Sequence, residues 1–331
     1  MKLGLFFYFK RISTHNERAI PLDKPVLFLS NHQNALLDAL IIATNSKRYA
    51  YFLTRAAVFS NPIISRLLKS LQMLPVYRIR DGWNNLSNNS AIFDTCVKLF
   101  NKNEAIVIFP EGNHNFQRSV RPLSKGFTRI VFATLEKHPE MDLQLLPVGL
   151  NYINAEKFPD SVSLFYGESI KAQDFILENK NEATLELRKC IQYELTKLTT
   201  HIPPENYKET LLKLNELNVD FLNPKQVNKT ISSNYTKYRS VNSSRFSILK
   251  PFFKGLLILL LFAPYLIWKL ALQPKIKEIE FMSTFRFAVA LTLVPFWVLA
   301  LVILLTINFS WIIGLGFLLF TLSIALISVK A

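Results

Sequence analysis

Two short clusters hold side chains whose types and spacing could do chemistry. The first is Ser30-Asn31-His32-Gln33-Asn34-Ala35-Leu36-Leu37-Asp38. A histidine at the end of an apolar run, with an aspartate shortly after it, is the arrangement of a general base and the group that orients it. The imidazole takes a proton from an alcohol, and the carboxylate fixes its tautomer and stabilises the imidazolium. A satisfied structural pair is the plainer alternative. Against it, Asp38 is the only acid between Lys24 and Arg80, beside one of only five histidines. The second cluster is Phe109-Pro110-Glu111-Gly112-Asn113-His114, followed by Arg118, Arg121, Pro122, Leu123, Lys125 and Gly126. Glu111 falls where the chain leaves a strand, Gly112 permits a tight turn, and the bases beyond could hold a phosphate. An ordinary solvated loop would have similar charges. Arg78 and Arg80 follow Leu74-Pro75-Val76-Tyr77, and period two puts both on one side if the strand continues, so either could meet a phosphate.

From Pro25 to about Ile170 short apolar runs alternate with helical patterns, which predicts an α/β domain. Strands are expected at 26–30, 49–53, 73–79, 105–109, 143–150 and 161–167, and helices near 34–45, 61–72, 84–101 and 123–137. Ile64, Leu67, Leu68 and Leu71 supply the helical spacing in the second of these helices. A further amphipathic helix is predicted over 182–199, with Leu187, Ile191, Leu195 and Leu198 on one face and Pro203-Pro204 ending it. The α/β domain so defined covers 25–200. Residues 201–250, rich in Asn, Ser, Lys and Tyr, read as a polar linker or partly ordered cap.

The charge is unevenly placed. Lys and Arg number 39 against 24 Asp and Glu, but residues 251–331 hold only six bases and two acids, which leaves +11 on the first 250 residues. Positions 287–329 have no charged residue. As one helix they would run roughly 64 Å, about twice the hydrocarbon thickness, so the stretch must fold back, with Asn308-Phe309-Ser310 as the turn between spans near 287–307 and 310–329. Residues 252–272 are apolar apart from Lys254 and Lys269, with a kink expected at Pro264. They form either a third span, which puts the C-terminus opposite the α/β domain, or a re-entrant or interfacial helix, which returns it. Residues 251–331 are thus expected to be a membrane domain of two to three helices, and a soluble globular chain is excluded. The start, MKLGLFFYFKRI, has an apolar run of about seven residues, at the short limit for a secretory leader, and no small-residue cleavage site follows. Residues 1–24 read as an interfacial anchor, with Leu3, Phe6, Phe7 and Phe9 toward acyl chains and Lys10 and Arg11 toward headgroups.

Other chemistries are weaker. Cys96 and Cys190 lack metal-ligand spacing and read as buried, reduced thiols. Glu111-x-x-His114 has the spacing of a carboxylate–histidine metal motif, but such sites need paired motifs on long helices, and Pro110 and Gly112 flank this glutamate, so no metal is expected. No phosphate loop of the Gly-x-x-x-x-Gly-Lys-Ser/Thr kind is present. Beside so apolar a tail, anionic headgroups, phosphorylated glycerol and coenzyme A explain the basic charge better than nucleic acid does.

Taken together, these residues resemble the glycerolipid acyltransferase superfamily, which includes the lysophosphatidate and glycerol-phosphate acyltransferases. Asn31-His32 through Asp38 is similar to its catalytic histidine–aspartate motif, and Arg78 in Pro-Val-Tyr-Arg to the arginine of its second motif. Phe109-Pro110-Glu111-Gly112 resembles its third motif, and Pro147 in Leu-Leu-Pro-Val-Gly the proline of its fourth. The resemblance covers roughly 25–175 and implies a mixed sheet flanked by helices, to which the tail adds C-terminal transmembrane helices. It implies His32 and Asp38 as catalytic residues, with Arg78, Glu111, Gly112, Pro147 and a base from Arg118, Arg121 or Lys125 at the substrate, and backbone N–H groups near Asn31–Gln33 for the oxyanion. No cofactor is implied beyond acyl-CoA or acyl carrier protein as co-substrate. The other partners implied are a phosphorylated glycerol or lysophospholipid and the bilayer, with the catalytic domain on the cytoplasmic face. The favoured acceptor is 1-acylglycerol 3-phosphate in phospholipid biosynthesis; glycerol 3-phosphate or dihydroxyacetone phosphate is one alternative, and an inactive lipid-binding scaffold the other. Two departures bear on that choice. Five residues separate His32 from Asp38 where the family has four, a difference a loop-borne His32 absorbs in the turn, and Asn113-His114 stands where many members have Thr-Arg. The longer spacing and the later Pro-Leu-x-x-Gly are similar to the branch that acylates glycerol 3-phosphate or dihydroxyacetone phosphate.

Overall fold

The computed structural model describes residues 1–77, 89–236 and 250–330. Its strands are β1 (Arg11–His15), β2 (Val26–Ser30), β3 (Ala50–Arg55), β4 (Met73–Val76), β5 (Ala105–Ile108), β6 (Gln144–Tyr152), β7 (Ser161–Tyr166) and β8 (Ile170–Lys171). They form one sheet in the order β1-β7-β6-β2-β5-β3-β4, with β8 paired to β6. From β6 to β4 every neighbour is parallel, whereas β7 and β8 run antiparallel to β6, so the sheet is mixed. Val26–Ser30 is buried at every position, as an unbroken apolar run must be when both faces of the sheet are covered.

Helices cover those faces. On one lie α1 (Lys2–Tyr8), α2 (Ala35–Asn45) and α3 (Pro62–Ser70), where Leu5, Tyr8, Leu37 and Ile41 meet Phe28 and Tyr166. On the other lie α4 (Asn89–Phe100), α5 (Gly126–Lys137) and α6 (Lys180–Leu198), where Phe100, Phe127 and Leu187 meet Leu27 and Ile106. The chain's start differs from expectation. Arg11–His15 pairs with β7 in the register Arg11↔Ser161 and is the sheet's edge strand, and Phe9 is a core residue, while Leu3 and Phe6 stay exposed. The α/β domain therefore begins at α1 rather than at residue 25. Residues 201–236 are also more ordered than a linker. Here α7 (Tyr207–Glu216) and α8 (Pro224–Ser232) enclose a small core of Ile202, Leu214, Phe221 and Val227. Hydrogen bonds from Ser163 Oγ to the Leu222 carbonyl and from Asn228 Nδ2 to the carbonyls of Thr196 and Thr199 hold this cap to the domain.

Two apolar helical stretches, Ile279–Asn308 and Trp311–Lys330, are each long enough to cross a membrane, and a bent pair, Pro251–Leu260 and Phe262–Lys275, would add a third if it were one span. They contain α9 (Lys250–Leu260), α10 (Phe262–Leu266), α11 (Met282–Leu291), α12 (Leu293–Asn308) and α13 (Trp311–Lys330). The 99° bend has a local cause. Pro264 has no N–H to give the Leu260 carbonyl and its ring crowds it, so that carbonyl accepts instead from the Trp297 indole at 3.0 Å. After the turn at Phe309-Ser310, α13 packs back on α12 so closely that a Cβ at Gly314 would collide with Thr306 Oγ1.

All these helices return to one edge of the sheet. Ser283 Oγ donates to the Ala155 carbonyl at 2.6 Å, Arg286 to the Glu156 carbonyl at 3.0 Å, and Lys330 Nζ to the Phe9 carbonyl at 2.8 Å. Ser328 Oγ reaches the Phe253 carbonyl, so α9 starts where α13 ends. The bent pair enters and leaves on the side of the α/β domain, as does the returning α13, which favours the re-entrant arrangement; the spans number two, or three if the bent pair is one.

Candidate active site

Strands β2 and β5 lie side by side, but the chain leaves them in opposite directions. From β2 it passes through α2 to β3, and from β5 through α5, on the other face, to β6. Such a divergence opens a crevice beyond the strands' carboxyl ends. Both clusters singled out in the sequence sit there.

Asn31 extends the β2–β6 ladder with its side chain. Its Nδ2 donates to the Leu150 carbonyl at 2.9 Å and its Oδ1 accepts the Leu150 N–H at 2.8 Å, which fixes the loop on which His32 stands. Asp38, fully buried in the first turn of α2, then collects donors. Its Oδ2 meets His32 Nδ1 at 2.7 Å, the Gln33 N–H at 2.7 Å and the Asn34 N–H at 2.8 Å. A carboxylate at a helix N-terminus is stabilised by those free amides. The sixth-residue spacing is accommodated by Ala35, whose φ of 39° turns the chain sharply into the helix. Gln33 N–H is spent on Asp38 and is not an oxyanion donor. The His32 ring stacks on Phe109 with centroids 4.0 Å apart, and its Nε2 has no partner among the described residues.

The oxygen of Asp38 not facing His32 accepts the Tyr152 hydroxyl at 2.6 Å. Tyr152 is buried at the end of β6, and burial, then the Asp38 charge, raises its phenol well above the ordinary value. Sequence reasoning ended this strand at residue 150 and missed it. The available signal was that a buried tyrosine needs a partner for its hydroxyl.

After β5, Gly112 adopts φ 71°, a left-handed conformation that turns the chain back. Glu111 is nearly buried and holds Arg121 through Nε at 3.1 Å and Nη2 at 2.6 Å. Burial pushes the Glu111 carboxyl up, and the Arg121 guanidinium offsets this. Arg118 points elsewhere: its guanidinium donates to the carbonyls of Tyr152 and Ile153 and lies over the Phe221 ring, and burial lowers it to about 10. Lys125 is exposed at the start of α5, and Pro147 lies within β6, paired with Leu29. Arg78, like Arg80, lies outside the described residues. The structure thus brings together His32, Asp38, Glu111, Gly112 and Arg121, but not Arg118. Cys96 is buried, and burial pushes its thiol up to about 12, which leaves it inert; Cys190 is half-buried. Among the described residues no three His, Cys, Asp or Glu converge as a metal site.

His114 enters the sequence reading as a departure from a motif and as half of a discounted metal spacing, not as a neighbour of His32. It stands edge-on to His32 with centroids 5.5 Å apart, and its Nε2 lies 3.1 Å from Glu278, on the stretch leading into α11. Phe281 from the same stretch meets the His114 ring at 4.8 Å.

A base–carboxylate pair thus lies in a crevice beside a glutamate-held arginine, and residues 11–151 match the family model described as Acyltransferase. This stretch is similar to acyltransferase domains, and the relatives it matches include glycerolipid acyltransferases. Glycerol-3-phosphate O-acyltransferases 1 and 2 of Saccharomyces cerevisiae are 25% and 26% identical over 118 and 120 residues, about a third of this chain. An uncharacterized acyltransferase of Schizosaccharomyces pombe is 35% identical over 69 residues, 21% of the chain. The matched stretches cover only 16%, 16% and 10% of those relatives. The crystal structure of a 1-acyl-sn-glycerophosphate acyltransferase from Thermotoga maritima aligns with a TM-score of 0.41 and 15% identity, over 57% of this chain and 72% of that one.

Proposed function

We propose that this protein is a membrane-embedded O-acyltransferase that moves an acyl group from a thioester, acyl-CoA or acyl carrier protein, to a hydroxyl of a phosphorylated glycerol. The observation that carries the reading is the His32–Asp38 pair at 2.7 Å, with His32 Nε2 left for substrate. His32 takes the hydroxyl proton as the oxygen attacks the thioester carbonyl; the C–S bond breaks, and the thiolate takes the proton back from the imidazolium. Asp38 holds the tautomer. Arg121, set by Glu111, supports a place for the acceptor phosphate at the mouth of the crevice. The two yeast relatives and the six-residue step from His32 to Asp38 favour glycerol 3-phosphate over 1-acylglycerol 3-phosphate as that acceptor. Two helices cross the bilayer in this reading, and the α/β domain stands on the cytoplasmic side, where its +11 charge belongs.

Purified protein assayed with both acceptors side by side tests this. Transfer to glycerol 3-phosphate should be the faster. His32→Ala should lose roughly a hundredfold to ten-thousandfold of activity at unchanged membrane abundance, and Asp38→Asn should be similarly impaired. Faster turnover of 1-acylglycerol 3-phosphate would restore the acceptor first favoured by the motifs. No transfer to either would leave an inactive lipid-binding scaffold.

A further inference from the structure

The apolar spacing of α3 faces the wrong way for a core. Ile63, Ile64, Leu67 and Leu71 are 78%, 46%, 58% and 42% exposed, no residue of α3 is buried, and only Leu68 and Ser65 lean on the domain. On a helix these four fall within an arc of about 100°, with Arg66 beside it and Lys69 beyond. Val58, just before the helix, is exposed as well. Exposed singly, such residues mean nothing, but a continuous stripe of this size marks a contact surface.

We propose that residues 56–71 are a second membrane-docking element, with the stripe of α3 lying in the headgroup–acyl boundary of a bilayer containing anionic lipid. Two observations select a lipid surface. The first is charge: residues 55–71 hold three bases, Arg55, Arg66 and Lys69, and no acid, so this element complements anionic headgroups. The second is place. Residues 56–59 leave β3 at its carboxyl end, the edge at which Ser283, Arg286 and Lys330 fasten the apolar helices, and Phe59 and Leu68 pack on the same side of the sheet as α1 and Phe287. The exposed Leu3 and Phe6 of α1 share that side. A stripe lying at the edge where the spans emerge meets the lipid that surrounds them. This inference rests on the proposal that α12 and α13 cross the bilayer, not on acyl transfer.

The test uses the full chain in phosphatidylcholine vesicles with and without phosphatidylglycerol. Single cysteines are placed at Ile63, Leu67, Leu304 and Tyr193 in a Cys96→Ser, Cys190→Ser background and labelled with an environment-sensitive fluorophore. Quenching by nitroxide lipids is compared with quenching by aqueous iodide. Leu304, in α12, reports whether the span is inserted, and Tyr193, exposed on α6, is the aqueous reference. Labels at Ile63 and Leu67 should be quenched several-fold more by nitroxide lipid than the label at Tyr193 and shielded from iodide, more so with phosphatidylglycerol, and Arg66→Glu with Lys69→Glu should remove that dependence. Lipid quenching at Leu304 with full iodide access at Ile63 and Leu67 overturns the docking element alone. No lipid quenching at Leu304 overturns the spans beneath it. Shielding from both quenchers, with energy transfer between labels on two copies, would assign the stripe to self-association and overturn the lipid surface.

Discussion

Glu278 and His114 are separated by 164 residues and meet at 3.1 Å, which joins the stretch before the long apolar helix to the imidazole standing beside His32. Burial lowers the His114 pKa, the nearby His32 lowers it further, and Glu278 pulls it back up. Glu278→Gln should therefore make His114 titrate at lower pH, as followed by NMR of nitrogen-labelled histidine. An unchanged titration would mean that the two domains do not touch at this point in solution.

Tyr152 gives Asp38 its remaining hydrogen bond, on the oxygen turned away from His32. In Tyr152→Phe the carboxylate keeps the Gln33 and Asn34 amides, so the fold should survive with a loss of about 1–3 kcal/mol, and kcat should fall by roughly tenfold as His32 loses its fixed orientation. Thermal unfolding and steady-state kinetics on one preparation check both.

Ala35 pays for the tight entry to α2 with a left-handed φ of 39°. A residue with a Cβ is strained there by the order of 1 kcal/mol, and glycine is not. Ala35→Gly should raise the Tm by a few degrees, less whatever the freer unfolded chain takes back. A lower Tm would show that flexibility outweighs strain.

Asp160 is buried, with one carboxylate oxygen accepting the Asn154 N–H at 3.0 Å and the other without a partner among the described residues. Burial raises its pKa to about 6. Because the folded value lies above the unfolded one of about 3.9, Asp160 stabilises the fold fully below pH ~3.9, and that contribution is lost as pH rises through about 6. Asp160→Asn stays neutral, so its stability relative to the parent should climb over this interval by at most about 3 kcal/mol and then level off. Unfolding in detergent across the pH range measures it; a constant difference would mean that the carboxylate is hydrated.

The sheet and the two chemical clusters were legible because each rests on local pattern. Runs such as Val26–Ser30 could only be buried strands, and His32 and Glu111 follow such runs directly. What escaped depends on partners distant in sequence. Arg11–His15 is short and polar, and it becomes a strand only because β7 offers a free edge. The α3 spacing revealed the helix but not its direction, since periodicity cannot say which side of an apolar stripe holds the protein. Arg118 carries the same charge as Arg121, and only the fold, by ending β6 beside it, spends it on the carbonyls of Tyr152 and Ile153. Pro264 announced a bend; that the chain would double back needed the Trp297 indole waiting for the Leu260 carbonyl.

Ser283 and Arg286 fasten the apolar helices to Ala155 and Glu156, at the edge of the sheet that also carries His32. In the proposed membrane-embedded arrangement, an amphiphile dissolved in the surrounding lipid meets the crevice by a two-dimensional search. Its saturation follows mole fraction in the surface and not concentration in the bulk, while a water-soluble partner obeys ordinary solution kinetics at the same site. Adding inert lipid would dilute the first kind of substrate and leave the second untouched.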